Sequence, residues 1–120
     1  MRLSDIKTTE WLLTNWGRWA YSNRGLSLYY PSVEPFERMR GGGLPEPVIE
    51  DGEAIAVDSL VSQLKETRPA EYNAVVLHYL AGMSYRDIAK HSKRHHRQVA
   101  DLVRGGVMWI EGAIQSTTSV

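Results

Sequence analysis

The 120-residue chain contains no cysteine, which excludes disulfides and every cysteine-ligated zinc site and fits a reducing cytoplasm. No apolar run approaches the roughly 20 residues that a membrane-crossing helix needs, so no span is expected. Met1 to Lys7 is short and of mixed charge, without the apolar stretch of a signal peptide. Internal repeats, low-complexity tracts and convincing strand alternation are all missing, which leaves helix as the expected element. Net charge is also absent: 14 basic residues balance 14 acidic ones, which taken alone argues against nucleic acid.

The charges are unevenly placed, however. Between Ser84 and Arg104 the basic residues Arg86, Lys90, Lys93, Arg94, Arg97 and Arg104 face only Asp87 and Asp101, with His91, His95 and His96 in the same stretch. Glu46, Glu50, Asp51, Glu53 and Asp58 form a separate acidic segment. A chain divided in this way can hold DNA on one face and leave another for a protein partner.

With 42% hydrophobic residues the chain has enough apolar material for one core without staples. Residues 1–48 are expected to be an arm of that domain, a Trp-rich helix from an N-cap at Thr9 to about Asn23 and then an ordered Pro/Gly loop. In the helix Leu12, Trp16 and Trp19 recur at helical spacing and are read as core, whereas Trp11 falls off the stripe and is the candidate for exposure. Gly17, among them, lets another element approach closely. Residues 49–120 are expected to form a helical DNA-binding region. Asp51 is the candidate N-cap of a helix to about Thr67 that buries Val57, Leu60, Val61 and Leu64 and turns Asp58, Ser62, Lys65 and Glu66 to water. Arg68-Pro69 breaks it.

From Pro69 to about Gln115 the pattern is that of a helix-turn-helix with a long last helix. The first helix runs from Pro69, a favoured opening residue, to about Gly82, with Tyr72, Val75, Val76, Tyr79 and Leu80 on one face. Ser84 and Asp87 form a weak relative of the capping box and open a short second helix that turns Ile88 and Ala89 inward. It stops around His91, and Ser92, Lys93 and Arg94 make the turn. From His95 the third helix buries Val99, Leu102, Val103, Gly106, Ile110 and Ile114, and carries His96, Arg97, Gln98, Asp101 and Arg104 on its other side. Gly105 and Gly106 are expected to interrupt it.

Such an arrangement presents donors to base edges in the major groove. Arg97 suits guanine and Gln98 adenine, each contact giving about 1–3 kcal/mol of discrimination. Ser84, Arg86, Lys93 and Arg94 would lie beside phosphates and fix register. The alternative is a plain helical bundle with a solvated basic face. Other chemistries fit poorly. His91, His95 and His96 lack supporting acids for zinc, GGGLPEP lacks the lysine of a phosphate loop, and no nucleophile or carboxylate pair is recognisable. No metal, cofactor or enzymatic activity is expected.

NWGRWA at 15–20, YPS, PF and RM between Tyr30 and Met39, the acidic helix start near Asp51, YLAGMSYRDIAK at 79–90 and WIEGA at 109–113 together resemble the phage late-gene antitermination protein Q family, of the group whose helix-turn-helix is similar to region 4 of bacterial sigma factors. The similarity runs from about Trp11 to Ile114. It implies an all-α protein of the host bacterial cytoplasm that binds a DNA element near the late promoter and loads onto paused RNA polymerase. Terminators are then read through because the RNA exit region is occupied. Carried onto this sequence, His95, His96, Arg97, Gln98 and Asp101 would face the DNA, supported by Ser84, Arg86, Lys93, Arg94 and Arg104. Trp11, Arg18, Phe36, Arg38 and Arg40 would face polymerase, with or without its sigma factor, and a dimer on DNA would require paired half-sites. The rivals are a regulator that binds DNA without antitermination and a polymerase-binding interaction module.

Overall fold

The computed structural model describes residues 8–23 and 48–118; the lead-in, the Pro/Gly loop and the candidates Phe36, Arg38 and Arg40 lie outside them. The described chain is all-helical, with α1 (Thr9–Asn23), α2 (Asp51–Thr67), α3 (Pro69–Val75) running into a π turn (Val76–Leu80), α4 (Tyr85–Ser92) and α5 (His96–Thr118). α3 and the π turn form the centre of the bundle. α5 and α2 pack on α3, α1 lies on the π turn, and α4 rests against α5.

Trp16, Leu13, Val57, Val61, Leu64, Val75, Val76, Leu80, Val99 and Ile110 are fully buried in one core, to which every helix contributes. The two core tryptophans also carry a polar group inward. Trp16 donates its indole N–H to Asp58 at 3.1 Å, and Trp19 donates to Asp51 at 2.9 Å. Two assignments change as a result. Asp58, expected to face water, is half-buried. Asp51 is the first helical residue and Glu50 the N-cap, so the Asp51 carboxylate holds an indole instead of capping. A buried indole N–H needs an acceptor, and a charged one is the stronger. Trp11 is half-buried against the core and not the exposed residue its phase suggested. Thr8, not Thr9, caps α1, its hydroxyl accepting from the Trp11 N–H at 3.0 Å.

The expected helix from Pro69 to Gly82 is two segments. After Val75 the backbone widens into the π turn, Ala81 N–H donating to the Val76 carbonyl five residues back and Met83 N–H to Leu77 O at 3.0 Å. Gly82, at φ 75°, supplies the left-handed residue that ends it. His78 Nδ1–H donates to the Met83 carbonyl at 2.9 Å and ties the turn to the approach to α4. The widened segment meets α1 at Gly17, where any Cβ would collide with the Tyr79 carbonyl group. The extra residue shifts the helical phase after Val75, so that Leu77 is buried along with Val76 and Leu80 while Tyr79 is only half-buried; ahead of the π turn Ala74 is buried beside Tyr72 and Val75.

α5 runs without interruption for 23 residues. Gly105 and Gly106, expected to break it, are where it crosses α3. A Cβ on Gly106 would stand 2.5 Å from Val75 Cγ2, and one on Gly105 would stand 2.8 Å from Glu71 Oε2. The close crossing offsets the cost of about 1 kcal/mol that each glycine brings to a helix interior.

Candidate nucleic-acid interface

α4 is opened by Ser84, whose extended backbone and hydroxyl, accepting from the Asp87 N–H at 3.1 Å, make a regular N-cap. Its inner face is Ile88 and Ala89, both buried, and Arg86, Lys90 and His91 are exposed. The helix continues to Ser92, whose hydroxyl donates to Ile88 O at 2.7 Å. The turn is therefore Lys93, Arg94 and His95, one residue later than the composition suggested. Lys93 adopts the left-handed conformation, φ 57° and ψ 41°, and both Lys93 and Arg94 donate their N–H groups to Ala89 O. A β-carbon in that region costs about 1–2 kcal/mol, so a lysine here holds a position suited to glycine.

His95 is the N-cap of α5. Its carbonyl accepts from the Gln98 and Val99 N–H groups, and its Nδ1 accepts from the Arg97 N–H at 3.2 Å. Gln98 Oε1 returns the contact by accepting from the His95 N–H at 3.1 Å. The result is a reciprocal capping box with histidine where serine or threonine usually stands. The rings of His95 and His96 stack with centroids 4.4 Å apart and planes 30° apart. One turn further along, Arg104 Nη1 donates to Asp101 Oδ1 at 3.0 Å, both side chains remaining about 70% exposed (68% and 74%).

Ser84, Arg86, Lys93, Arg94, His95, His96, Arg97, Gln98, Asp101 and Arg104 are thus all exposed and confined to α4, the turn and the first turns of α5, with Val99 and Val103 buried behind them. Trp11 and Arg18 are half-buried on α1. Among the described residues no three histidines or carboxylates gather as metal ligands, and no helix is long and apolar enough to cross a membrane. The reciprocal cap went unread because histidine is not a usual cap. The signal was a glutamine three positions after His95, where the basic helix begins to be capped.

A recess of about 170 Å³ lies under the turn between α3 and α4, floored by Ala74, Leu77, Ile88, Val99 and Leu102 with Arg94 at its edge. On the far side of α5 a wider groove of about 530 Å³ runs between the start of α1 and Val103, Val107 and Met108.

A family model described as phage antitermination protein Q matches residues 5–119 of the chain. A similar protein, the probable antitermination protein Q of Acyrthosiphon pisum secondary endosymbiont phage 1, is 30% identical over 115 residues, which cover 91% of this chain and 72% of the relative. No solved structure matches.

Proposed function

Because the chain belongs to the phage antitermination protein Q family, we propose that it is an antiterminator of phage late transcription that binds DNA near the late promoter and acts on bacterial RNA polymerase in the host cytoplasm. The family is one of regulators, not enzymes. In this reading the protein loads onto polymerase paused downstream of the promoter and modifies the RNA exit region, and terminators are read through.

The observation that carries the DNA half is the exposed start of α5: Arg97 stands on a capped helix, backed by buried Val99 and Val103 and flanked by exposed Arg86, Lys93, Arg94 and Arg104. In the sigma region 4-like reading α5 is the helix that enters the major groove and α4 crosses the backbone. If Arg86, Lys93 and Arg94 each neutralise one phosphate, log K falls against log salt with a slope of about −2.7. Trp11 and Arg18 on α1, with Phe36, Arg38 and Arg40 beyond it, are the proposed polymerase-facing residues. Two copies on paired half-sites would form a dimer on the DNA.

The test is transcription by bacterial polymerase across an intrinsic terminator on a late-promoter template, with wild type and Arg97→Ala. Read-through by wild type that the variant loses is the expected result. Sequence-specific binding without read-through leaves a DNA-binding regulator. Polymerase binding with no salt-dependent DNA complex leaves an interaction module.

A further inference from the structure

A helix that reads DNA has to begin at a fixed residue, because a slip of one position turns every side chain on it by about 100°. In α5 the start is set by four hydrogen bonds: His95 O accepts from the Gln98 and Val99 N–H groups, His95 Nδ1 from the Arg97 N–H, and Gln98 Oε1 from the His95 N–H. Gln98 is thus folded back along the helix toward its own N-cap. A bidentate contact with adenine needs the amide extended away from the helix, Oε1 accepting from N6 and Nε2 donating to N7. The two geometries compete for one side chain.

Arg97 is differently placed. Its backbone N–H is held by His95, while among the described residues its guanidinium makes no hydrogen bond or ion pair and the residue is exposed. Asp101 and Arg104, paired at 3.0 Å, share its face of the helix one and two turns on. We infer that Gln98, with His95, positions the reading helix and reads no base, and that recognition at its first turn falls to Arg97 with guanine as its partner. This rests on the DNA-reading role proposed above. His96, stacked on the capping ring, belongs to the positioning group. Gln98→Glu distinguishes the roles, since it keeps an acceptor for the His95 N–H and removes the donor that adenine requires.

The experiment uses the full chain as wild type, Gln98→Ala, Gln98→Glu and Arg97→Ala. Amide-proton exchange is followed at His95 and Arg97 in the free protein, and base preference is scored by selection from a pool of random-sequence duplexes. Gln98→Ala is expected to speed exchange at His95, and Gln98→Glu to restore it. Both keep the wild-type preference at every base pair, with Gln98→Glu lowering affinity uniformly because its carboxylate faces phosphate. Arg97→Ala is expected to lose about 5- to 150-fold discrimination at one G·C pair. Relaxed preference at a single A·T pair in either Gln98 variant overturns the inference, as does unchanged exchange at His95 in Gln98→Ala. A wild-type chain that selects no sequence removes the DNA-reading role itself, an outcome no Gln98 variant can mimic.

Discussion

Replacing Gly17 with alanine tests the closest approach in the fold. In a helix interior the substitution should stabilise by about 1 kcal/mol through propensity alone. Here the added methyl would stand 2.8 Å from the Tyr79 carbonyl carbon and nearer still to its oxygen, with Leu80 Cα at 3.4 Å. These are backbone atoms of the π turn, held by the Val76–Ala81 and Leu77–Met83 hydrogen bonds, so no rotamer change relieves the contact. α1 must back away, loosening Trp16 and Leu13 on the same helix. Overpacking of this kind costs about 1–3 kcal/mol, occasionally more, and a rigid backbone partner favours the upper end. The net loss is then about 1–2 kcal/mol, or roughly 4–16 °C in Tm for a domain of this size. Gly112, in α5, has nothing within 4 Å of a new Cβ. Gly112→Ala therefore keeps the propensity gain and should raise Tm. Thermal and urea unfolding followed by circular dichroism gives both values. Gly17→Ala as stable as wild type, or more so, would refute the crossing of α1 over the π turn.

Asp58→Ala removes the acceptor of the Trp16 indole N–H and should cost about 1.5–3 kcal/mol in urea unfolding, while Asp58→Asn, which keeps a carbonyl oxygen there, should cost clearly less. Lys93→Gly relieves the left-handed residue of the turn and should stabilise by up to about 1 kcal/mol; if Lys93 contacts phosphate, the same change makes the salt slope of DNA binding shallower by about 0.9. Tyr72 is pushed up to about 12 by burial and then by the Asp58 charge, and Tyr79 to about 12 by burial, then Glu10 and Tyr85. Unfolded chains lose these protons near pH 10, so the folded state binds more protons between about 10 and 12 and stability must fall as pH rises through that window. Tyrosinate absorbance should show two late-titrating phenols, and unfolding curves a stability loss beginning near pH 10.

The parts of the fold that were legible in the sequence were those where one face of one helix decides the outcome. Val57, Leu60, Val61 and Leu64 on α2, and Val99, Val103, Ile110 and Ile114 on α5, follow helical spacing and are buried. Ser84 announced the start of α4 because a hydroxyl cap is a local device that needs nothing from the rest of the chain. The π turn was not legible, because α1 packs on it at Gly17, a contact distant in sequence that no local pattern encodes. The glycines of α5 were read as breakers for the same reason. Helix propensity counts their cost, and only the crossing partner, Val75, supplies the compensation.

The candidate interface divides along the same line. Exposure of Arg97 and Arg104 follows from phase, since the buried valines fix which side of α5 remains in water, and Ile88 and Ala89 do the same for Arg86 on α4. What each polar side chain does once exposed is set by its nearest partner. By helical phase Asp51 is a cap residue and Asp58 a solvent one, yet both serve as indole acceptors, because burying Trp16 and Trp19 requires an acceptor from α2. Gln98 and Arg97 are neighbours, both exposed and both able to donate to a base edge, and periodicity treats them alike. They separate only when the start of α5 is known to the residue: with His95 as N-cap, Gln98 is the third helical position, the one place from which a side chain reaches back to the capping N–H. Had Arg94 been the N-cap, the same glutamine would stand one position further on and be free to point outward. The meaning of a polar residue near a helix end thus depends on a boundary of one residue, which is where sequence patterns are least sharp and where backbone hydrogen bonds decide.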